Sequence, residues 1–186
     1  ERGDKDDCVL NPHHWAVVSA RLGPFDCDRF ASEATALLPK FCGLYWSPKV
    51  WFVDCYSRPW VGVRNWWHPN LKEIGMVLEK ALEEGAEGAI LLPVWKGAVW
   101  WPRLCPDGRH FGPWVTGWLE LPASWDLFIR GIGGGIYNNH PPRSRIVVVC
   151  VNGVGGRGES PDASCPLNGG GLGSVDPGLP GVGVSN

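Results

Sequence analysis

Residues of a kind that can do chemistry gather where apolar runs end. Pro24-Phe25-Asp26-Cys27-Asp28 and Val50-Trp51-Phe52-Val53-Asp54 each close on an acid. Val61 to Trp67 runs into His68-Pro69-Asn70, and Ala89-Ile90-Leu91-Leu92 runs into Pro93-Val94-Trp95-Lys96. A carboxylate at the exit of a sheet strand can accept hydrogen bonds from ribose hydroxyls. Asp28 and Asp54 therefore read as two sides of a nucleoside-cofactor pocket, with Trp60 or Trp95 as its stacking wall. Asp is equally at home wherever a strand turns, and spacing alone leaves both readings open.

Other clusters point away from chemistry. His13-His14 falls within a helical stretch, where adjacent positions do not face each other, and no third ligand stands at usable spacing, so no metal is expected. Gly131-Ile132-Gly133-Gly134-Gly135 has the look of a phosphate cradle but lacks a following Lys-Ser/Thr, and reads as a flexible connection. The seven cysteines contain no C-x-x-C pair and are odd in number, which suggests neither zinc nor a disulfide framework. A reducing compartment, nuclear or cytoplasmic, is expected. Six cations between Lys96 and Arg145 interleave with Trp95, Trp100, Trp101 and Trp114. They are too dispersed for a dense patch, so the tryptophans are expected to fill a core.

The elements that must position these residues follow from periodicity and punctuation. Asn11 to Gly23 is a helix: Asn11 caps, Pro12 suits the first position, and Trp15, Val18 and Leu22 share a face. Ser32 to Leu38 reads as a second helical stretch. Leu71 to Glu84 is the strongest helix, with Leu71, Ile74, Leu78 and Leu82 on one side, Asn70 and Glu73 as a capping box, and Gly85 as its stop. Ala89 to Leu92 reads as a buried strand of the parallel type. Trp114–Leu121, Trp125–Arg130 and Arg145–Val151 read as further strands. Alternation followed by strands without helices implies an α/β sheet finished by an antiparallel hairpin.

Length and charge bound the rest. The 186 residues suffice for one ordinary domain. A domain over residues 1–152 is expected, with a disordered Gly/Pro-rich tail over 153–186 that has no aromatic residue and no hydrophobic period. The net charge of −2 gives no electrostatic argument for tight binding to nucleic acid or membrane by the chain as a whole. No apolar run approaches the roughly 18–20 residues of a membrane helix, so no membrane partner is expected. The chain starts at Glu1 and its one methionine is Met76, as expected of a piece of a longer polypeptide.

Several ordered motifs carry a resemblance. They are Leu10-Asn11-Pro12…Trp15…Leu22-Gly23-Pro24-Phe25…Asp28-Arg29-Phe30-Ala31-Ser32…Leu38-Pro39-Lys40-Phe41, then Val53-Asp54…Trp60, Asn65-Trp66-Trp67-His68-Pro69, and Leu91-Leu92-Pro93-Val94-Trp95…Trp100-Trp101-Pro102. Together they resemble a domain of DIRS/Ngaro-type tyrosine-recombinase retrotransposon polyproteins, where it lies downstream of reverse transcriptase and ribonuclease H. That domain is similar to phage-type Dam-like DNA adenine-N6 methyltransferases. The resemblance implies a Rossmann-like methyltransferase-type sheet, S-adenosylmethionine as cofactor, and DNA or the neighbouring polyprotein domains as partners. Asp28 would match the acid at the cofactor site, with Asp54 and Pro93 beside it. His68-Pro69-Asn70-Leu71 would match an Asn/Asp-Pro-Pro-aromatic tetrapeptide.

In such a tetrapeptide the polar side chain and a proline carbonyl accept from the adenine amino group, and the ring stacks on the flipped base. Here the first acceptor is His68, the second proline is Asn70 and the ring is Leu71. A neutral imidazole still accepts one hydrogen bond, whereas leucine does not stack. The expectation is a degraded site, with catalytic positions His68, Pro69 and Asn70. The domain would then serve as a non-catalytic nucleic-acid or polyprotein-interaction module, the alternative being an active adenine methyltransferase.

Overall fold

The computed structural model describes residues 8–130, 141–153 and 182–184. In chain order the elements are β1 (Cys8–Leu10), α1 (Pro12–Leu22), β2 (Cys27–Asp28), β3 (Cys42–Gly43), β4 (Phe52–Val53), β5 (Arg64–Trp67), α2 (Ile74–Glu84), β6 (Glu87–Pro93), β7 (Val115–Leu121), β8 (Phe128–Arg130), β9 (Ile146–Asn152) and β10 (Val182–Val184). The fold is mixed α/β: a mixed sheet of five strands in the order β7-β9-β6-β5-β2, with β10 on the outer edge of β7. β2, β5 and β6 run parallel; β9 is antiparallel to both β6 and β7.

Each face of the sheet is covered, which is why β9 and most of β6 are apolar on both faces. Successive side chains of a strand point to opposite faces. Trp66, Ala89, Leu91, Val148 and Cys150 pack with Val18 and Leu22 of α1. Trp67, Ile90, Leu92, Val147 and Val149 pack with Ile74, Val77 and Leu78 of α2. The unbroken run Ile146-Val147-Val148-Val149-Cys150-Val151 is buried because both its faces are core. Gly88 of β6 permits a close approach to β5, since a Cβ there would sit 2.4 Å from the Asn65 carbonyl oxygen and 2.6 Å from the Trp67 ring.

Both long helices form where periodicity places them, with differences at the ends. Asn11 caps α1 by accepting from the His13 amide at 3.1 Å. Gly85 ends α2 at φ +67°, its amide reaching back to the Ala81 and Leu82 carbonyls. The Asn70–Glu73 capping box does not form. Leu71–Glu73 is instead a 3-10 turn with no side-chain cap bond from Asn70, and the α-helical hydrogen bonds begin only at Ile74. Its buried face is accordingly Ile74, Val77, Leu78 and Ala81, while Leu71 and Leu82 are half-buried.

Two segments depart from expectation. Ser32 to Leu38 is a single turn rather than a helix, because Thr35 Oγ1 accepts from the Ser32 amide and Asp28 takes the Leu37 amide away from any helical ladder. The expected strand at Trp125–Arg130 shrinks to β8, which leaves the main sheet to pair antiparallel with β1. Trp100 and Trp101 are buried in the core, while Arg103 and Arg145 pair with Glu79 and Glu120. The Gly131–Gly135 connection lies outside the described residues, as does the tail apart from Gly153 and β10. Among the described residues no helix is long and apolar enough to cross a membrane.

Candidate functional site

β3 and β4 pair parallel with each other, and a parallel bridge between Asp28 and Phe41 joins them to β2. The parallel strands thus lie in the order β4-β3-β2-β5-β6. From β2 the chain builds outward on one side through β3 and β4, and then on the other through β5 and β6. In open α/β sheets such a reversal opens a crevice beyond the carboxyl ends of the two strands that flank it, here β2 and β5. Asp28 ends β2, His68-Pro69 follows β5, and Pro93 ends β6, so four of the residues singled out by sequence share one edge of the sheet.

Asp54 follows β4 on the same edge but two strands from β2, roughly 10 Å away at ordinary strand spacing. It is exposed, with φ +60°, and its carboxylate accepts from the Tyr56 amide at 3.1 Å to start the 3-10 turn Cys55–Ser57. Asp28 is buried. Its Oδ1 accepts from the Phe30 amide at 3.3 Å and its Oδ2 from the Leu37 amide at 3.2 Å. Burial pushes this carboxyl up to about 6, and those two amide bonds only partly oppose the shift. The two aspartates therefore share an edge without facing a common space, each fastening its own loop. Neither proposed stacking wall meets Asp28: Trp60 is fully buried with Nε1 donating to the Cys55 carbonyl, and Trp95 donates to Ser144 Oγ.

The loop that follows β2 is tied back to β5 from inside the protein. Arg29, the residue after Asp28, is 2% exposed. Its Nε donates to Asn65 Oδ1 at 2.7 Å and its Nη1 to Cys42 Sγ at 3.6 Å. Asn65 is fully buried on β5 and donates through Nδ2 to the carbonyls of Trp60 and Glu87, both at 2.8 Å. The hydrogen bond with Cys27 and the guanidinium of Arg29 hold Cys42 down to about 7, whereas Cys27 is pushed up by its bond to Cys42 and by burial. Phe30 sets its ring edge-on against Tyr56 and Trp60, at 5.7 and 6.3 Å between centroids. A nucleoside cofactor approaching the loop after the first strand of such a sheet needs small residues that let backbone come close. Arg29 and Phe30 occupy that loop.

His68 lies at the mouth of β5 with its ring stacked on Phe128, 5.7 Å between centroids and 27° between planes. Loss of solvent pulls the imidazole down to about 4, leaving it neutral at pH 7. Pro69 is buried and Asn70 half-buried at the start of the 3-10 turn. Arg29, Asn65 and Phe128 are the residues at this site that sequence reasoning missed. The available signals were a charged residue following a strand end and an Asn inside the run Asn65-Trp66-Trp67. Phe128 gives no such signal, because it reaches His68 from a strand that follows some 60 residues of intervening chain. Compared with protein-family models and with curated proteins, the chain matches none.

Proposed function

We propose that this chain is a Rossmann-like, methyltransferase-type domain that has kept the sheet and lost the chemistry, and that it acts as a non-catalytic binding module. Its partners are nucleic acid or neighbouring segments of a retroelement polyprotein such as reverse transcriptase and ribonuclease H. The strand order β4-β3-β2-β5-β6-β9-β7, in which β9 alone runs against the others, supports the methyltransferase-type reading. So does the placement of Asp28, His68 and Pro93 at the ends of adjacent parallel strands.

The observation that carries the loss of chemistry is the loop after β2, where Arg29 and Phe30 stand in place of small residues. Arg29 of that loop is bonded back to Asn65 and Cys42. Asp28 already accepts two backbone amides. At the tetrapeptide position Leu71 offers no ring, and His68 has its own stacked against Phe128. Thermal unfolding with and without S-adenosylmethionine tests this: a ligand that binds only the folded state must raise the melting temperature. No shift at millimolar cofactor is expected. A saturable upward shift that Asp28→Ala removes would favour the competing reading, an active adenine methyltransferase.

A further inference from the structure

The largest concentration of exposed apolar surface lies around β3 and β4, on the flank of the sheet. Leu44, Tyr45 and Trp46 are 73, 74 and 77% exposed, and Trp51 and Val53 about 40%. Beside them runs a row in which cations and rings alternate. Lys40 Nζ lies 3.3 Å above the Trp51 ring, Trp51 and Phe52 are 4.4 Å apart between centroids, and the Arg58 guanidinium lies 4.5 Å over Phe52. Neither Lys40 nor Arg58 forms an ion pair with a described residue, whereas the nearby Lys49 is held by Glu33 at 2.7 Å.

We infer that this flank is a docking surface for single-stranded nucleic acid, with Tyr45 and Trp46 as stacking platforms and Lys40 and Arg58 as phosphate contacts. The inference rests on the binding-module reading above and names its surface. Tyr45 and Trp46 stand out in solvent, and every base presents a π-face to such rings once it is unstacked from a duplex. β3 and β4 are two residues long and paired in register, Cys42 with Phe52 and Gly43 with Val53. Lys40 and Trp51 therefore flank one end of the pair, while Tyr45, Trp46 and Arg58 follow its other end, within one or two strand lengths of each other. Protein interfaces are depleted in lysine at their centre; here a lysine and an arginine cap the ring row. The overall charge of −2 makes this a local contact rather than a general attraction to polyanions.

The test is fluorescence anisotropy of labelled oligothymidine and oligouridine of about 12 nucleotides, titrated with the full chain across a salt series. Tyr45→Ala and Trp46→Ala are each expected to weaken binding by about tenfold or more. Arg58→Ala is expected to lower the slope of log affinity against log salt by about 0.7. Circular dichroism should be unchanged in all three, since the altered side chains are exposed. Unaltered affinity in the ring variants, with binding by the unmutated chain intact, overturns this surface and leaves the binding-module reading standing. Absence of binding by the unmutated chain to either oligonucleotide removes the nucleic-acid arm of that reading together with the surface. A dimer that Trp46→Ala splits, without nucleic-acid binding, assigns the flank to a second copy of the chain and overturns the inference.

Discussion

Arg29 Nε donates to Asn65 Oδ1 at 2.7 Å, a bond that joins the loop after β2 to the middle of β5 out of contact with solvent. One side-chain amide thereby accepts from a buried guanidinium while donating to two main-chain carbonyls, that of Trp60 in the preceding connection and that of Glu87 at the start of β6. Asn65→Leu strips the guanidinium of its acceptor and both carbonyls of their donor. Removing one partner of a buried charged group costs about 3–5 kcal/mol, and a loss of that size is expected in urea unfolding. Arg29→Met, which keeps the packing volume and removes the charge, is expected to cost much less than Asn65→Leu.

Asp28 and His68 titrate in opposite senses. Asp28 is raised to about 6 in the folded chain, so the native state binds the proton more tightly than the unfolded one. Its contribution is fully present below about pH 4 and is lost as pH rises to about 6, roughly 3 kcal/mol for a shift of about two units. His68 is lowered to about 4, so its contribution is full above about pH 6.5 and is lost as pH falls toward 4. The slopes oppose each other between pH 4 and 6. Chemical denaturation across that window is expected to give a nearly level stability for the unmutated chain. Asp28→Asn should leave stability rising with pH, and His68→Gln should leave it falling.

Gly88→Ala forces a methyl group to within 2.4 Å of the Asn65 carbonyl oxygen and 2.6 Å of the Trp67 ring. The oxygen is backbone in a central strand, so β5 and β6 must separate rather than a side chain yield. Overpacking of this kind costs about 1–3 kcal/mol or more. Thermal melting should place the variant several degrees below the unmutated chain, with a larger loss than for Gly75→Ala, whose nearest neighbour is Trp100 Cβ at 3.5 Å.

Replacing His68-Pro69-Asn70-Leu71 by Asn-Pro-Pro-Tyr supplies the acceptors and the ring that the proposed reading calls for but leaves Arg29 and Phe30 in the loop after β2. No methyl transfer is expected from that variant alone. Activity in it, measured with labelled S-adenosylmethionine, would place the whole defect in the tetrapeptide.

Much of the fold was legible from periodicity. The helical face of α2, the cap of α1 and the apolar runs of β6 and β9 are each long enough to carry a pattern. β2, β3 and β4 are two residues each, too short for any period, and β3 had no signal at all. Their order nevertheless defines the crevice. The pairing of β1 with β8 joins Leu10 to Phe128 across most of the chain, and no local rule encodes such a contact. Ser32 to Leu38 has small residues compatible with a helix, but a carboxylate four residues upstream of it fixed a turn instead. At the site, Asp28 and His68 were visible because strand ends attract attention. Arg29 and Asn65 were not, because a buried arginine is legible only through its partner, and that partner lies on another strand.

The central proposal is that the loop after β2, built from Arg29 and Phe30, does not admit a methyl donor. Calorimetric titration of the unmutated protein with S-adenosylmethionine measures this directly. The account predicts no saturable heat at protein concentrations of tens of micromolar and cofactor up to millimolar. One-to-one binding in the micromolar range would contradict it, since the loop built from Arg29 and Phe30 would then admit the cofactor.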